Sequence, residues 1–407
     1  MVNKTFFQRM ILVLMSLAIV AVGGCSSTRE LGQKPQKIRF AIIADMIGPN
    51  APADATAVYG FVDAVRYLND IGGIRGVNIE TVIKDTGGKP ELAQRAFDEI
   101  MALEPRPVLL FSPLPGVLEL LRDRLAQSGM LVIGAPWNES VSMPENVFAA
   151  YPGYPDMFAA FCSWLNTEWK GSSRPRIAFV TSDDVYGRAV LVPRSYQYAE
   201  SLGIDIVATE TYNRHAINLN TELGRVQAAG ADWIFTNAVG SDNLMLFHNM
   251  KALGLNAGIA GTTGMDWSVL RSLFKEGSGE GTIAVLPAAG WDEEEQLQGV
   301  KDMRVLVFDK ASRSISTDMT SMYPIGVAAA VMAQDAMAIS VNQAGWDNLR
   351  SDVVGRILTE TGEFSPLGLA ELSYTEVRHI PSKVKIYRFT DGKLLPLTGW
   401  TTVPEIR

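Results

Sequence analysis

Cysteine and histidine are scarce in this chain: two Cys and three His in 407 residues. That leaves little material for a metal centre or a disulfide framework. His215, His248 and His379 are far apart, and none has a second His or a Cys at ligand spacing. Each reads as a surface or helix histidine. There is no Gly-x-Ser-x-Gly elbow and no phosphate loop ending in Gly-Lys-Ser/Thr. Gly277-Ser278-Gly279-Glu280-Gly281 is glycine-rich but precedes a strand-like run, so it reads as a loop. Basic residues are the minority, 36 against 44 acidic, for a net charge of −8. An acidic chain without a basic stripe argues against a nucleic-acid partner. The carboxylate clusters Asp183-Asp184 and Glu293-Glu294-Glu295 are neighbours in sequence. Such neighbours usually form a solvated face, not the spaced pairs of glycoside hydrolysis or a calcium site. No enzyme and no cofactor is expected from this inventory.

The first residues read as an address. Lys4 and Arg9 form a short basic start, and Met10 to Val22 is an apolar run of 13 residues. That length suits a secretory signal and is too short to span a bilayer. The run ends in Val22-Gly23-Gly24-Cys25, followed by the polar stretch Ser26 to Lys37. The arrangement resembles a bacterial lipobox. It implies removal of residues 1–24, lipidation of Cys25, and a tether over 25–37 that holds the body off the membrane. Loss of Lys4 and Arg9 with the signal leaves 34 basic against 44 acidic residues, a charge of −10. Cys162 sits in Met157-Phe158-Ala159-Ala160-Phe161-Cys162 and reads as a buried thiol on a helix.

From Ile38 the chain alternates β-rich runs with helical segments. Strands are expected at Ile38 to Ala44, Ile79 to Ile83, Val108 to Phe111 and Met130 to Gly134. Helices are expected over Val58 to Ile71, from Pro90 with the face Leu92, Ala96, Phe97, Ile100 and Met101, and over Val117 to Gln127. The pattern restarts after Ser172-Ser173-Arg174-Pro175. Arg176 to Thr181, Ile204 to Thr209, Trp233 to Thr236 and Thr282 to Leu286 then read as strands. Arg188 to Leu202, Leu219 to Ala229 and Asp242 to Leu253 read as helices. Tyr323 to Val341 is a long Ala-rich helical segment, and Val384 to Phe389 with Leu394 to Leu397 suggests a terminal hairpin around Asp391-Gly392. Buried-looking strands alternating with helices imply parallel sheets covered on both faces. The chain is therefore α/β, with two doubly wound lobes. Open sheets of this kind bind ligands at the carboxyl ends of their strands.

Several turns resemble the branched-chain amino-acid (Leu/Ile/Val) binding proteins, the type I periplasmic binding fold of ABC importers. The resemblance runs from about Ile38 to Leu397. It rests on Gly48-Pro49 and Tyr59-Gly60, and on Tyr67-Leu68-Asn69-Asp70-Ile71-Gly72-Gly73-Ile74-Arg75-Gly76 with a strand ending in Lys84-Asp85. Tyr186-Gly187 and Phe364-Ser365-Pro366-Leu367-Gly368 add to it. The order and spacing of these pieces carry the likeness more than any single one. The resemblance implies three crossovers acting as hinges, near Tyr154, Pro287 and Ser365. Lobe 1 would then comprise 38–154 plus 288–365, and lobe 2 would comprise 155–287 plus 366–407.

It also implies a site. The turn after the third strand holds Leu114, Pro115 and Gly116, where a helix N-terminus would offer donors to a ligand carboxylate. The turn after the fourth holds Pro136, Trp137 and Asn138; Pro136 would supply a carbonyl. Trp137 could equally cap a core edge, and Asn138 could simply hold its turn. Tyr59 would flank the ligand from lobe 1 and Tyr186 would close over it from lobe 2. Two positions depart from the family. Val239 stands where an aromatic is common. Thr263, within Gly261-Thr262-Thr263-Gly264-Met265-Asp266, stands where the amino-acid binders place an acid for the substrate ammonium. A buried ammonium without a carboxylate is costly. Either Asp266 takes that place, or the ligand lacks an amine, as an amide, a urea-like compound or a small carboxylate would. The expected function is an exported, membrane-anchored lipoprotein of the cell envelope, on the periplasmic or outer face. It would bind a small polar solute for an ABC permease. The alternative is a sensor or envelope-scaffold lipoprotein of the same fold that acts on a protein partner.

Overall fold

The computed structural model describes residues 31–48, 50–136, 143–214, 216–293, 297–306 and 320–404. The signal segment, Cys25, Trp137, Asn138 and His215 lie outside the described residues.

The first sheet is built from β1 (Ile38–Ala44), β2 (Ile79–Asp85), β3 (Leu109–Ser112), β4 (Leu131–Gly134) and β5 (Val147–Ala149). All five are parallel, in the order β2-β1-β3-β4-β5. Phe40 lies opposite Leu109, and Ile133 opposite Phe148. Every residue of β1 is buried, because alternate side chains enter two separate cores. Phe40 and Ile42 meet Val58, Phe61 and Val65 of helix α1 (Ala51–Asp70). Ala41 and Ile43 enter the other core with Ala96, Phe97 and Ile100 of α2 (Pro90–Met101). Leu118 of α3 (Pro115–Leu120) and Leu125 of α4 (Arg122–Ser128) complete that second face. The single helix expected over Val117 to Gln127 is thus two, with Leu121 at the break.

Helix α5 (Tyr154–Glu168) leads into the second unit. Its Phe158 packs against Phe179 and Phe235, both at 4.8 Å between ring centroids. The second sheet contains β6 (Arg176–Ser182), β7 (Asp205–Tyr212), β8 (Trp233–Thr236), β9 (Gly258–Gly261) and β10 (Ile283–Leu286), all parallel. Between β6 and β7 lie two helices, α6 (Val185–Arg188) and α7 (Pro193–Ser201). The expected single helix from Arg188 is interrupted because Pro193 starts a new one: proline suits a first helical turn and disfavours helix before it. Helices α8 (Asn220–Ala229), α9 (Ser241–Leu253) and α10 (Trp267–Lys275) follow β7, β8 and β9.

A short helix α11 (Gln298–Val305) precedes α12 (Met322–Ala344) and α13 (Ser351–Thr361). Helix α12 is long and apolar enough to cross a membrane, but most of it is buried against α1 and α13 inside the fold. It is a core helix. The ribbon β11 (Glu363–Phe364) and β12 (Leu372–Ser373) then carries the chain back to the second sheet. There β13 (Lys383–Thr390) lies antiparallel to β10 and pairs with β14 (Lys393–Pro396) and β15 (Thr401–Thr402). The expected hairpin is present, and it makes the second sheet mixed where the first is purely parallel. The protein is an α/β molecule with two doubly wound sheets.

Candidate functional site

Seven strand ends converge on one cavity of about 390 Å³ between the two sheets. From the first sheet come Met46 and the start of α1 after β1, Pro113, Leu114 and Pro115 after β3, and Tyr151 and Tyr154 after β5. From the second come Tyr186 after β6, Arg214 after β7, Val239 and Ser241 after β8, and Thr263 and Asp266 after β9. This is where open α/β sheets place ligands, since the strand ends supply irregular backbone and helix N-termini.

Of the residues expected from sequence, the structure brings together Tyr59, Leu114, Pro115, Tyr186, Val239, Thr263 and Asp266 on the cavity wall. Gly116 and Pro136 do not line it. Gly116 is exposed in the short helix α3, and Pro136 is buried away from the cavity. Nothing is described of Trp137 and Asn138.

Tyr186 is held at three points. Its carbonyl accepts from Asn237 Nδ2 at 2.6 Å, its hydroxyl lies 3.4 Å from the hydroxyls of Thr262 and Thr263, and its ring meets Tyr154 edge-on at 4.9 Å. Asp184 begins α6 by accepting from Gly187 N at 2.7 Å, which fixes the turn that presents Tyr186. Tyr154 in turn shares a 2.8 Å hydrogen bond with Tyr151. Burial pushes both of these hydroxyls above the usual tyrosine range, so they are neutral hydrogen-bonding groups.

Asp266 is already engaged. Its Oδ1 accepts from Ser268 N at 3.1 Å, Ser268 Oγ at 2.9 Å and Val269 N at 3.4 Å, capping α10. Its Oδ2 accepts from Ser321 N at 3.1 Å, tying α10 to the start of α12. Burial nevertheless raises its carboxyl to about 6.

Sequence reasoning missed two charged residues of this wall, Asp54 and Arg214. Arg214 Nη1 donates to Asn50 Oδ1 at 2.9 Å, and its Nε lies 3.6 Å from Asp184 and 3.7 Å from Asp242. Asn50 stands before α1, so this bond spans from one sheet's unit to the other. Helices α3 and α6 also approach each other across the cleft. Asp54, in the first turn of α1, is buried, and its Oδ2 has no hydrogen-bond partner. Polar residues near a helix start look like ordinary solvated first-turn residues in a sequence. Only the approach of the second sheet's loops makes Asp54 an interior group. Among the described residues no group of His, Cys, Asp and Glu could hold a metal ion.

Two doubly wound α/β units with a cavity between their facing strand ends define a type I solute-binding protein. The sequence profile of the periplasmic binding protein family matches residues 37–365, and the chain belongs to that family. It is a family of binding proteins, not enzymes. The leucine-, isoleucine-, valine-, threonine- and alanine-binding protein of Pseudomonas aeruginosa is 22% identical over 283 residues, 67% of this chain and 71% of its own length. A branched-chain amino-acid ABC transporter protein of Thermus thermophilus, solved with bound valine, superposes with a TM-score of 0.80 at 19% identity, covering 91% of this chain and 97% of its own. A fatty-acid ABC transporter substrate-binding protein of Thermomonospora curvata gives a TM-score of 0.76 at 16% identity, covering 92% and 94%. At such identities the superpositions show the fold, and the fold carries more than one class of ligand.

Proposed function

We propose that this protein is the solute-binding component of an ABC importer, that its solute is an amino acid or a related small polar compound, and that a lipid on Cys25 holds it at the membrane. The observation that supports the reading is the cavity. Its volume of about 390 Å³ is near the small end of the range for small-molecule sites, which suits one small solute. Its walls are mixed, with Tyr59, Leu114, Pro115 and Val239 beside Asp54, Arg214 and Thr263. The amino-acid-binding relatives favour an amine-bearing solute among the possibilities.

In this reading the lobes are 38–154 plus 288–365 and 155–287 plus 366–407, with crossovers near Tyr154, Pro287 and Ser365 as hinges. The first sheet draws its strands from 38–149 and the second from 176–286 and 383–402, which supports this division, while the β11–β12 ribbon bridges it near Ser365. Ligand held between the lobes stabilises the closed form, and the permease reads that form. The protein-partner alternative gains no support, because the most exposed apolar side chains, Ile47, Ile217 and Val377, come from separate loops and the cleft is not filled.

A thermal-shift screen of residues 26–407 against amino acids, amides, ureas and small acids tests the reading. A solute at a hundredfold over its dissociation constant adds roughly 2.7 kcal/mol of stability. A shift with amino acids is expected, and a shift with none of these compounds would sink the proposal. Membrane fractionation of Cys25→Ser tests the anchor: the variant should leave the membrane fraction, and retention there would count against a lipid on Cys25.

A further inference from the structure

We infer that Asp54 is the ligand's cation partner: its buried, unpartnered carboxylate oxygen on the cavity wall turns to receive the solute's ammonium group from the α1 side, opposite Thr263. The inference rests on the amino-acid reading above and supplies the acid that the Thr263 position lacks.

The argument starts from what the two cavity carboxylates already do. Asp266 accepts three hydrogen bonds on one oxygen and one on the other, all from its own helix start and Ser321. Its charge is spread over fixed donors. Asp54 differs. It is 4% exposed, the Asp45 main chain hydrogen-bonds it, and its Oδ2 meets no donor. A buried carboxylate without a partner is unfavourable by several kcal/mol. A place in the first turn of α1 offsets only part of that through the helix dipole. Burial wins, and the Asp54 carboxyl is raised well above the usual range.

The charged and titratable groups facing Asp54 come from three directions. Asp45, at the end of β1, raises it further; Arg214, from the loop after β7, draws it down; Tyr151 and Tyr154, around the start of α5, are neutral. Arg214 does not resolve the frustration, because it hydrogen-bonds Asn50 and lies beside Asp184 and Asp242. An unpartnered acid on the wall of a cavity matches an arriving cation. An ammonium there would gain Asp54 as counter-ion, with the Thr263 hydroxyl on the opposite wall as a neutral acceptor.

The test compares wild type and Asp54→Asn by titration calorimetry with L-leucine, L-valine, 4-methylpentanoate and 3-methylbutanoate. The last two are the same side chains without an amine. The amino acids should bind wild type with release of a proton, seen as a heat that varies with buffer ionisation enthalpy. Asp54→Asn should lose at least roughly a hundredfold in affinity for them and lose the proton release. Equal amino-acid affinity in both proteins would overturn the inference. Binding of only the amine-free acids would overturn it while leaving solute binding intact. A ligand-free measurement separates the remaining case. Asp54→Asn should melt higher than wild type at pH 8, and the gain should shrink steadily as pH falls towards 3, where the unfolded-state acid is also protonated. If no amino acid binds, the amino-acid reading falls. Asp54 as a cation site then stands on a raised melting temperature at pH 8, and an unchanged or lowered one overturns it.

Discussion

At the scale of single residues, the cavity wall separates acids that build the protein from one that does not. Asp266 joins α10 to α12 and caps the former, yet burial lifts its carboxyl to about 6 against an ordinary value of 3.8. The sign of the pH effect follows from that shift. The folded state holds the proton more tightly than the unfolded chain, so the stabilisation is complete below the unfolded value and is lost as pH rises to about 6. Two units correspond to about 3 kcal/mol. Asp266→Asn removes the titration but leaves the Ser321 N–H facing an amide that cannot accept from it and from the helix with one oxygen. The variant should therefore be less stable than wild type at pH 4, and the deficit should shrink by about 2 kcal/mol by pH 7.5. Urea unfolding at the two pH values checks this. A deficit that stays constant would mean that Asp266 does not titrate in this window. Asp54 is unchanged between the two proteins and cancels in the comparison.

At the scale of elements, α1 and α12 pack closely along their length, and two glycines permit it. A Cβ on Gly326 would lie 2.0 Å from the carbonyl oxygen of Ala57, and one on Gly60 would lie 2.1 Å from that of Tyr323. The helices thus touch backbone to backbone, and the Tyr323 hydroxyl crosses to Asp63 at 3.0 Å. Alanine is the better helix former by about 1 kcal/mol, which would favour Gly326→Ala on propensity alone. Forcing the backbones apart in a packed core costs about 1–3 kcal/mol or more. Because the clash is with a carbonyl and not a movable side chain, the second effect should win. We expect Gly326→Ala to lower stability by about 2 kcal/mol in denaturant melts; a neutral or raised value would show that the helices can part freely.

The same pair of helices shows what a sequence can and cannot display. The strands were legible because fully buried strands read as continuous apolar runs, as in Ile38–Ala44, and the long helix was legible because its Ala-rich segment has no breaks. Helix α1 begins at Ala51, well before the expected Val58, because its first turns face the cavity and lack an apolar stripe of their own. Strand β5 and helix α10 were not anticipated: three residues give no period, and the amphipathic face of α10 follows a loop that drew attention for its ligand groups. The resemblance located the strand-end turns, and hence Tyr59, Leu114, Pro115, Tyr186, Val239, Thr263 and Asp266. It gave no position for Asp54 or Arg214, which share one cavity wall only because two units far apart in sequence face one another.

At the scale of the whole molecule, closure is the quantity that function would use, and beside the bonds from Ser321 to Asp266 and Thr263 a further one crosses the cleft. Arg214 reaches from the loop after β7 to Asn50 before α1, at 2.9 Å. Mutating Arg214 would also leave Asp184 and Asp242 without their nearby guanidinium, mixing two effects. Asn50 is the cleaner site. Its side chain makes no capping bond to α1, so Asn50→Ala removes the cross-cleft acceptor and little else. A hydrogen bond to a charged donor is worth about 1.5 kcal/mol or more. If that bond forms only in the closed state, its loss lowers the closed population, and apparent affinity falls by about tenfold. Small-angle scattering of the ligand-free variant should show a larger radius of gyration than wild type, while saturating ligand should bring the two together. An affinity loss with no change in the ligand-free radius would place Asn50 in ligand contact instead. Loss of neither would mean that the Ser321 bonds to Asp266 and Thr263, Tyr154 against Tyr186 and the contact of α3 with α6 suffice to hold the two units together.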